Sequence, residues 1–179
     1  MLAALTLAGC AVQPQATDTA QIPPLLGGTA LGGAHSASQV VRGAFGEREV
    51  TLQCAVQVQG DAVTVIGVSA LGQRVFTLSY DGGKLSAEAS PFVPAGFVPE
   101  RLLADLELAL WPLAALQTAY TGTPWSVSEP YAGDRRLRRD GRLIAEVHYT
   151  GANPWSTRYW ISNFEFGYAF AVDPQPQDN

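Results

Sequence analysis

Cysteine, histidine and charge are all scarce in this chain, and each scarcity closes off a class of function. Two cysteines and two histidines in 179 residues leave no Cys/His set at metal-ligand spacing, and no Gly-x-Ser-x-Gly elbow is present. No metal, no cofactor and no catalytic residue is therefore expected, and the chain reads as a non-enzyme. Lys and Arg number 11 against 16 Asp and Glu, a net charge of -5, which excludes the clustered basic excess that nucleic acid binding requires. Only 15% of residues are charged while 47% are hydrophobic, enough apolar content for one globular domain with a real core. No stretch reaches the roughly 20 apolar residues of a membrane-spanning helix. Cys54 stands alone in an alternating pattern and reads as a small buried apolar residue rather than half of a disulfide.

The N-terminus is the most specific segment. Residues 1–9 are an apolar run that ends at Cys10 and is followed by Gln, Thr and Pro, the form of a signal peptide. Leu7-Ala8-Gly9-Cys10 resembles the lipobox of bacterial lipoproteins. The resemblance implies that Cys10 carries the lipid attachment and begins the mature chain. The run is short and has no positively charged start, so a start codon upstream of Met1 is expected. By the sorting rule of enteric lipoproteins, Ala11 and Val12 in place of Asp imply the periplasmic face of the outer membrane. From residue 11 to 37 the sequence is Gln, Thr, Pro, Gly and Ala without period, which predicts a flexible tether.

Between Ser38 and Ser90 the pattern alternates, with turn signals at Gly46-Glu47, Gly60-Asp61, Leu71-Gly72-Gln73 and Asp81-Gly82-Gly83. This predicts an antiparallel meander with one face buried, clearest in Val50, Leu52, Cys54, Val56 and Val58. Pro91 to Val98 reads as a loop. Pro99-Glu100 then opens a helix, proline being accepted at a first helical position. Leu102, Leu103, Leu106, Leu110, Leu113 and Leu116 form its apolar stripe, with Glu100, Arg101, Asp105 and Glu107 mostly elsewhere. One long helix to about Tyr120 is expected, kinked after Trp111 by Pro112. Strands return from Trp125, with a hairpin at Asp140-Gly141, and 174–179 is expected to fray.

Arg42-Gly43-Ala44-Phe45, the meander, the Ala70-Leu71-Gly72 turn, the Asp-Gly-Gly turn and the helix together resemble LolB-type outer-membrane lipoprotein receptors of the LolA/LolB-like superfamily, over about Val40 to Tyr120. The run from Leu102 to Pro112 is similar to a family of small lipoproteins of unknown function found with aryl polyene and related lipid-synthesis clusters. The superfamily resemblance implies an α+β fold: a strongly curved antiparallel half-barrel with the kinked helix over its concave face and a cavity for acyl chains. Residues 38–173 would form that domain. Leu71 takes the place of the membrane-facing leucine of the receptors, although Ala70 replaces their usual proline.

On that resemblance the ligand-binding wall is expected to include Phe76, Leu78, Leu103, Leu106, Leu110, Trp111, Leu113, Trp125, Tyr159 and Phe170. Aromatics this dense also suit a filled core, and the two readings stand side by side. Arg135, Arg136, Arg138, Arg139 and Arg142 read either as a solvated hairpin edge or as a contact for anionic lipid headgroups. Glu146 and His148 share a strand face and would be the pair to test for catalysis. The expected function is binding of a lipid, aryl polyene or lipoprotein acyl chain and its placement at the outer membrane, by a monomer with a periplasmic carrier protein as possible partner. The alternatives are a structural or assembly lipoprotein that docks a protein, and a small periplasmic hydrolase or transferase.

Overall fold

The structure is a computed structural model that describes residues 22–45, 48–91, 93 and 97–176; the lipobox and the Gly46-Glu47 turn lie outside them. Five strands come first: β1 (His35–Phe45), β2 (Arg48–Gln59), β3 (Ala62–Ser69), β4 (Arg74–Asp81) and β5 (Lys84–Ala89). Helices α1 (Pro99–Leu110) and α2 (Leu113–Ala119) follow, then β6 (Trp125–Tyr131), β7 (Asp134–Arg139), β8 (Arg142–Tyr149), β9 (Tyr159–Asn163) and β10 (Tyr168–Pro174). The turns fall where small residues allow positive φ, as at Gly60, Gly72, Gly82 and Gly141. On β2 the alternation holds: Cys54, Val56 and Val58 are buried while Gln53, Gln57 and Gln59 are exposed.

All pairings are antiparallel, and the order across the sheet is β5-β4-β3-β2-β1-β10-β9-β8-β7-β6. Two meanders are thus joined by β1 against β10, with Gly43 opposite Phe170. The sheet is not closed, because β5 and β6 are its two outer strands, and the helices carry the chain from one to the other. Helix α1 has 12 residues, about 18 Å of length. It nevertheless touches both β5 and β7, which stand eight strand spacings apart in that order, about 38 Å in a flat sheet. The sheet therefore curls around the helix. Leu103, Leu108, Leu110, Trp111 and Leu116 are buried between the helices and the strands.

Three expectations are corrected. The single kinked helix is two helices, because Trp111 is extended (φ -78, ψ 153); the ring of Pro112 disfavours helical backbone at the preceding residue. The tether does not reach Ala37. Leu25, Leu26, Ala30 and Leu31 pack on the core, Gly28–Leu31 is a 3-10 turn, and β1 begins at His35. Gly28 serves close approach rather than flexibility: its N–H donates to the Asp61 carbonyl at 2.9 Å, and a Cβ there would lie 2.4 Å from the Gly60 carbonyl. At the other end Pro174 and Gln175 are held: β10 includes Pro174, and the Gln175 N–H donates to the Ser38 carbonyl at 2.7 Å.

Candidate functional site

Between the N-terminal half of α1 and the sheet lies a cavity of about 130 Å³, roughly ten times the space one water needs. Strands β1 and β2 contribute Val41, Val50, Leu52 and Cys54 to its wall, and β10 contributes Tyr168 and Phe170. The remainder comes from Val75 and Phe76 on β4, from Val93, Phe97 and Val98 before the helix, and from Arg101, Leu102 and Asp105 on α1. Val75 and Phe76 are consecutive, yet both are buried. The register shifts here, Gly67 facing Phe76 and Val68 facing Arg74, and such a bulge sets two residues against one and turns neighbouring side chains the same way. The Phe76 ring lies against Gly67, where a Cβ would come within 2.3 Å of it, and packs on Phe97 with centroids 5.3 Å apart. Burial pushes the Cys54 thiol up to about 12, so the sulfur is an apolar part of the wall.

Arg101, Asp105 and Tyr168 stand at one end of the wall, but the surface they present to the cavity is almost wholly apolar. Asp105 accepts from the Tyr168 hydroxyl and lies 3.5 Å from the Asn163 amide nitrogen; burial raises its pKa to about 6 against the effect of those bonds. The Arg101 guanidinium lies 3.0 Å from the centroid of the Phe166 ring, and its buried Nε has no hydrogen-bond partner.

The other half of α1 is held by polar contacts that the apolar stripe does not reveal. Glu107 is completely buried and accepts from the backbone N–H groups of Leu26, at 3.0 Å, and Gly27, at 3.1 Å. The Trp111 indole donates to the Gly27 carbonyl at 2.8 Å. Arg135 donates to the carbonyls of Leu108 and Trp111, both at 2.8 Å, and the Tyr149 hydroxyl to that of Ala109 at 2.7 Å, which satisfies C-terminal carbonyls that a helix leaves open. Arg139 and Arg142 both reach Glu165, at 2.6 Å. Within the arginine cluster Arg135 is buried on β7 and caps α1, whereas Arg142 at the hairpin stays exposed, and β6 rather than β7 is the outer strand of the sheet.

Of the ten residues expected on the ligand wall, Phe76 and Phe170 line this cavity. Leu78, Leu103, Leu110, Trp111 and Tyr159 are buried in the core, Leu106 and Leu113 are half-buried against it, and Trp125 is buried beside a smaller hollow lined by Ile144 and Phe166. The stripe of leucines points to the interior as a whole, whereas the cavity lies only beside the first two turns of α1. The wall residues outside that expectation include five valines, Val41, Val50, Val75, Val93 and Val98, although the Val50-Leu52-Cys54 alternation marked that face of β2. Leu71 is 87% exposed at the β3–β4 turn. His148 turns to Asp134, with Nδ1 2.5 Å from Oδ1, across the strand pair rather than to Glu146. Among the described residues no group of three His, Cys, Asp or Glu could hold a metal ion.

Residues 36–176, which cover all ten strands except the first residue of β1, match a family described as proteins of unknown function, DUF3261. The chain belongs to the DUF3261 family. No curated protein matches it. Among solved structures, this DUF3261 chain is similar to a domain from Vibrio parahaemolyticus assigned to outer membrane lipoprotein sorting, with 10% identity, 80% of this chain and 84% of that one covered, and a TM-score of 0.40.

Proposed function

We propose that the protein holds the hydrophobic chain of an acyl-type ligand in the cavity beside α1 and assists its placement at the outer membrane, to which Cys10 would anchor it. The cavity carries this reading, because a half-open apolar hollow between a curled sheet and a helix is the shape that takes an alkyl chain. Each methylene moved from water into it gains about 0.8 kcal/mol, so a single chain would be held firmly yet reversibly. The lipobox-like Leu7-Ala8-Gly9-Cys10 supports the anchor, and no described helix is long and apolar enough to cross a membrane. Leu71, exposed on its turn, would dip into the bilayer. Lipid, aryl polyene and lipoprotein acyl chain are all candidate cargoes, and delivery by a periplasmic carrier to a monomeric receptor is part of the proposal. No covalent step enters it.

Native mass spectrometry with lipid extraction, on the full chain purified from its own cell envelope, tests this. Stoichiometric bound lipid that disappears in a folded Leu102→Trp variant is the expected result. A stable, consistently empty protein would instead favour a structural or assembly lipoprotein, a reading to which the exposed Tyr131, Trp160 and Phe164 lend a docking surface.

A further inference from the structure

Four large hydrophobic side chains are exposed among the described residues, Leu71, Tyr131, Trp160 and Phe164, and two of them stand at the same end of the sheet. Leu71 lies on the β3–β4 turn and Phe164, 53% exposed, opens the β9–β10 turn. The register fixes their placement. Phe45 faces both Arg48 and Tyr168, so the β1–β2 connection and the β9–β10 turn share one rim, and the antiparallel order adds the β3–β4 and β7–β8 turns to it. Across the sheet from β7 to β4 the turns step along the strands, in the same direction at both ends. That is the stagger by which tilted strands in a curled sheet form level rims. Tyr131 belongs to the opposite rim, at the β6–β7 turn, and Trp160 to the body of β9, where its ring meets those of His148 and Arg158.

The cavity lies toward the rim of Leu71 and Phe164. Its wall takes Val50 to Cys54 from the beginning of β2, Val75 and Phe76 from that of β4, and Tyr168 and Phe170 from that of β10, and all three strands begin at this rim. The Arg101 guanidinium on the Phe166 ring ties the start of α1 to the β9–β10 turn. Charge also divides the two ends. The turns beside Leu71 and Phe164 are flanked by Arg74, Arg138, Arg139 and Arg142 against Asp140 and Glu165, and Arg139 and Arg142 share the one Glu165 carboxylate. The opposite turns carry Asp61, Asp81 and Asp134 against Lys84 and Arg158. Apolar tips among arginines suit the headgroup layer of an anionic bilayer, where the tips leave water and the cations stay with the phosphates.

We infer that this rim is the bilayer-facing surface of the protein, with Phe164 a second insertion point beside Leu71 and the cavity held at the lipid end of the domain. This rests on the acyl-binding reading above and deepens it: a single exposed leucine makes one point of contact, whereas two tips on one rim fix an orientation.

The orientation is read with an environment-sensitive fluorophore on Leu71→Cys, Phe164→Cys, Tyr131→Cys or Trp160→Cys, in the full chain reconstituted into vesicles of phosphatidylglycerol and phosphatidylethanolamine. Cys54 is buried and Cys10 would be blocked by its lipid, so each label reports one position. Labels at Leu71 and Phe164 are expected to shift to the blue and to be quenched by brominated lipid, while those at Tyr131 and Trp160 stay in water. Phe164→Glu should diminish the blue shift at Leu71 and Phe164→Leu should retain it, with circular dichroism establishing that each variant is folded. A Phe164 label that stays in water, or a Trp160 label quenched as strongly, would overturn the rim. Labels that all stay in water on a protein that still carries stoichiometric lipid would overturn the rim alone, leaving Leu71 and Phe164 to a protein partner. Rim labels in the bilayer on a consistently empty protein would support the rim and remove the acyl cargo.

Discussion

A carboxyl group with no solvent exposure, Glu107, joins the middle of a helix to the N-terminal segment through two backbone N–H groups. Burial pushes its pKa up to about 7, with Asp61 nearby adding to the effect and the two hydrogen bonds opposing it. Because the folded value lies above the ordinary one of 4.5, the folded protein binds the extra proton in the window between them. Stability is then fully present below about pH 4.5 and is lost as the pH rises through 7. The shift is worth on the order of 3 kcal/mol at most. Chemical denaturation is expected to give a higher midpoint at pH 5 than at pH 7.5, and Glu107→Gln should flatten that slope by keeping an oxygen acceptor without the charge. A slope unchanged by the substitution would assign the pH dependence elsewhere. Nothing in the chain marks Glu107 as buried. Helical spacing places it off the leucine stripe, and only the arrival of Leu26 and Gly27, about eighty residues earlier in sequence, covers it.

Elements in this protein are ended by partners distant in the chain. Helix α1 stops because of Pro112, a local cause legible in the sequence, but its last carbonyls are capped by Arg135 and Tyr149 from β7 and β8. Arg135→Met keeps the aliphatic stem and leaves two buried carbonyls unpaired; it should lower unfolding stability by about 2 to 4 kcal/mol, and Arg135→Lys should recover only part of this because the shorter side chain does not carry its nitrogen to the place of the single Nη1 that serves both carbonyls. A thermal melt indistinguishable from the parent protein would refute the capping role. The bulge on β4 makes a prediction about binding instead. Gly67→Ala puts a methyl where the Phe76 ring lies, so the ring must move into the cavity. Ligand affinity should drop by roughly tenfold or more while the pairing of β3 with β4 survives, to be read by titration beside a far-ultraviolet spectrum. Turn and strand boundaries around that bulge follow from alternation and glycine. The bulge left one trace, the consecutive apolar Val75 and Phe76 ahead of the Phe76-Leu78-Tyr80 alternation, but two apolar neighbours also occur in an unbulged strand buried on both faces.

Across the whole molecule, a two-meander sheet is held together by one central pairing, β1 with β10, and by helices that cross from edge to edge. The N-terminal segment before β1 belongs to this arrangement. It supplies the acceptor for Trp111, the donors for Glu107 and the apolar cover of Leu25 and Leu26. A chain that begins at Ser38 is expected to melt several degrees below one that begins at Ile22, since about 3 kcal/mol of stability is worth roughly 10 °C or less in a domain of this size. Equal melting temperatures would show the segment to be a passive strap.

What the chain determined alone was local. The β-meander and its glycine turns, the helix start at Pro99 and its end before Pro112, and the apolar character of Cys54 all follow from residues within a few positions of one another, where periodicity and backbone sterics act. Sheet order, the curl around α1, the burial of Glu107 and Arg135, and the position of the cavity beside only the first turns of the helix were decided by tertiary structure. Those features bring together side chains from opposite ends of the sequence, and an alternating or helical pattern records which face of an element is apolar but not what that face will meet or how completely the space between is filled.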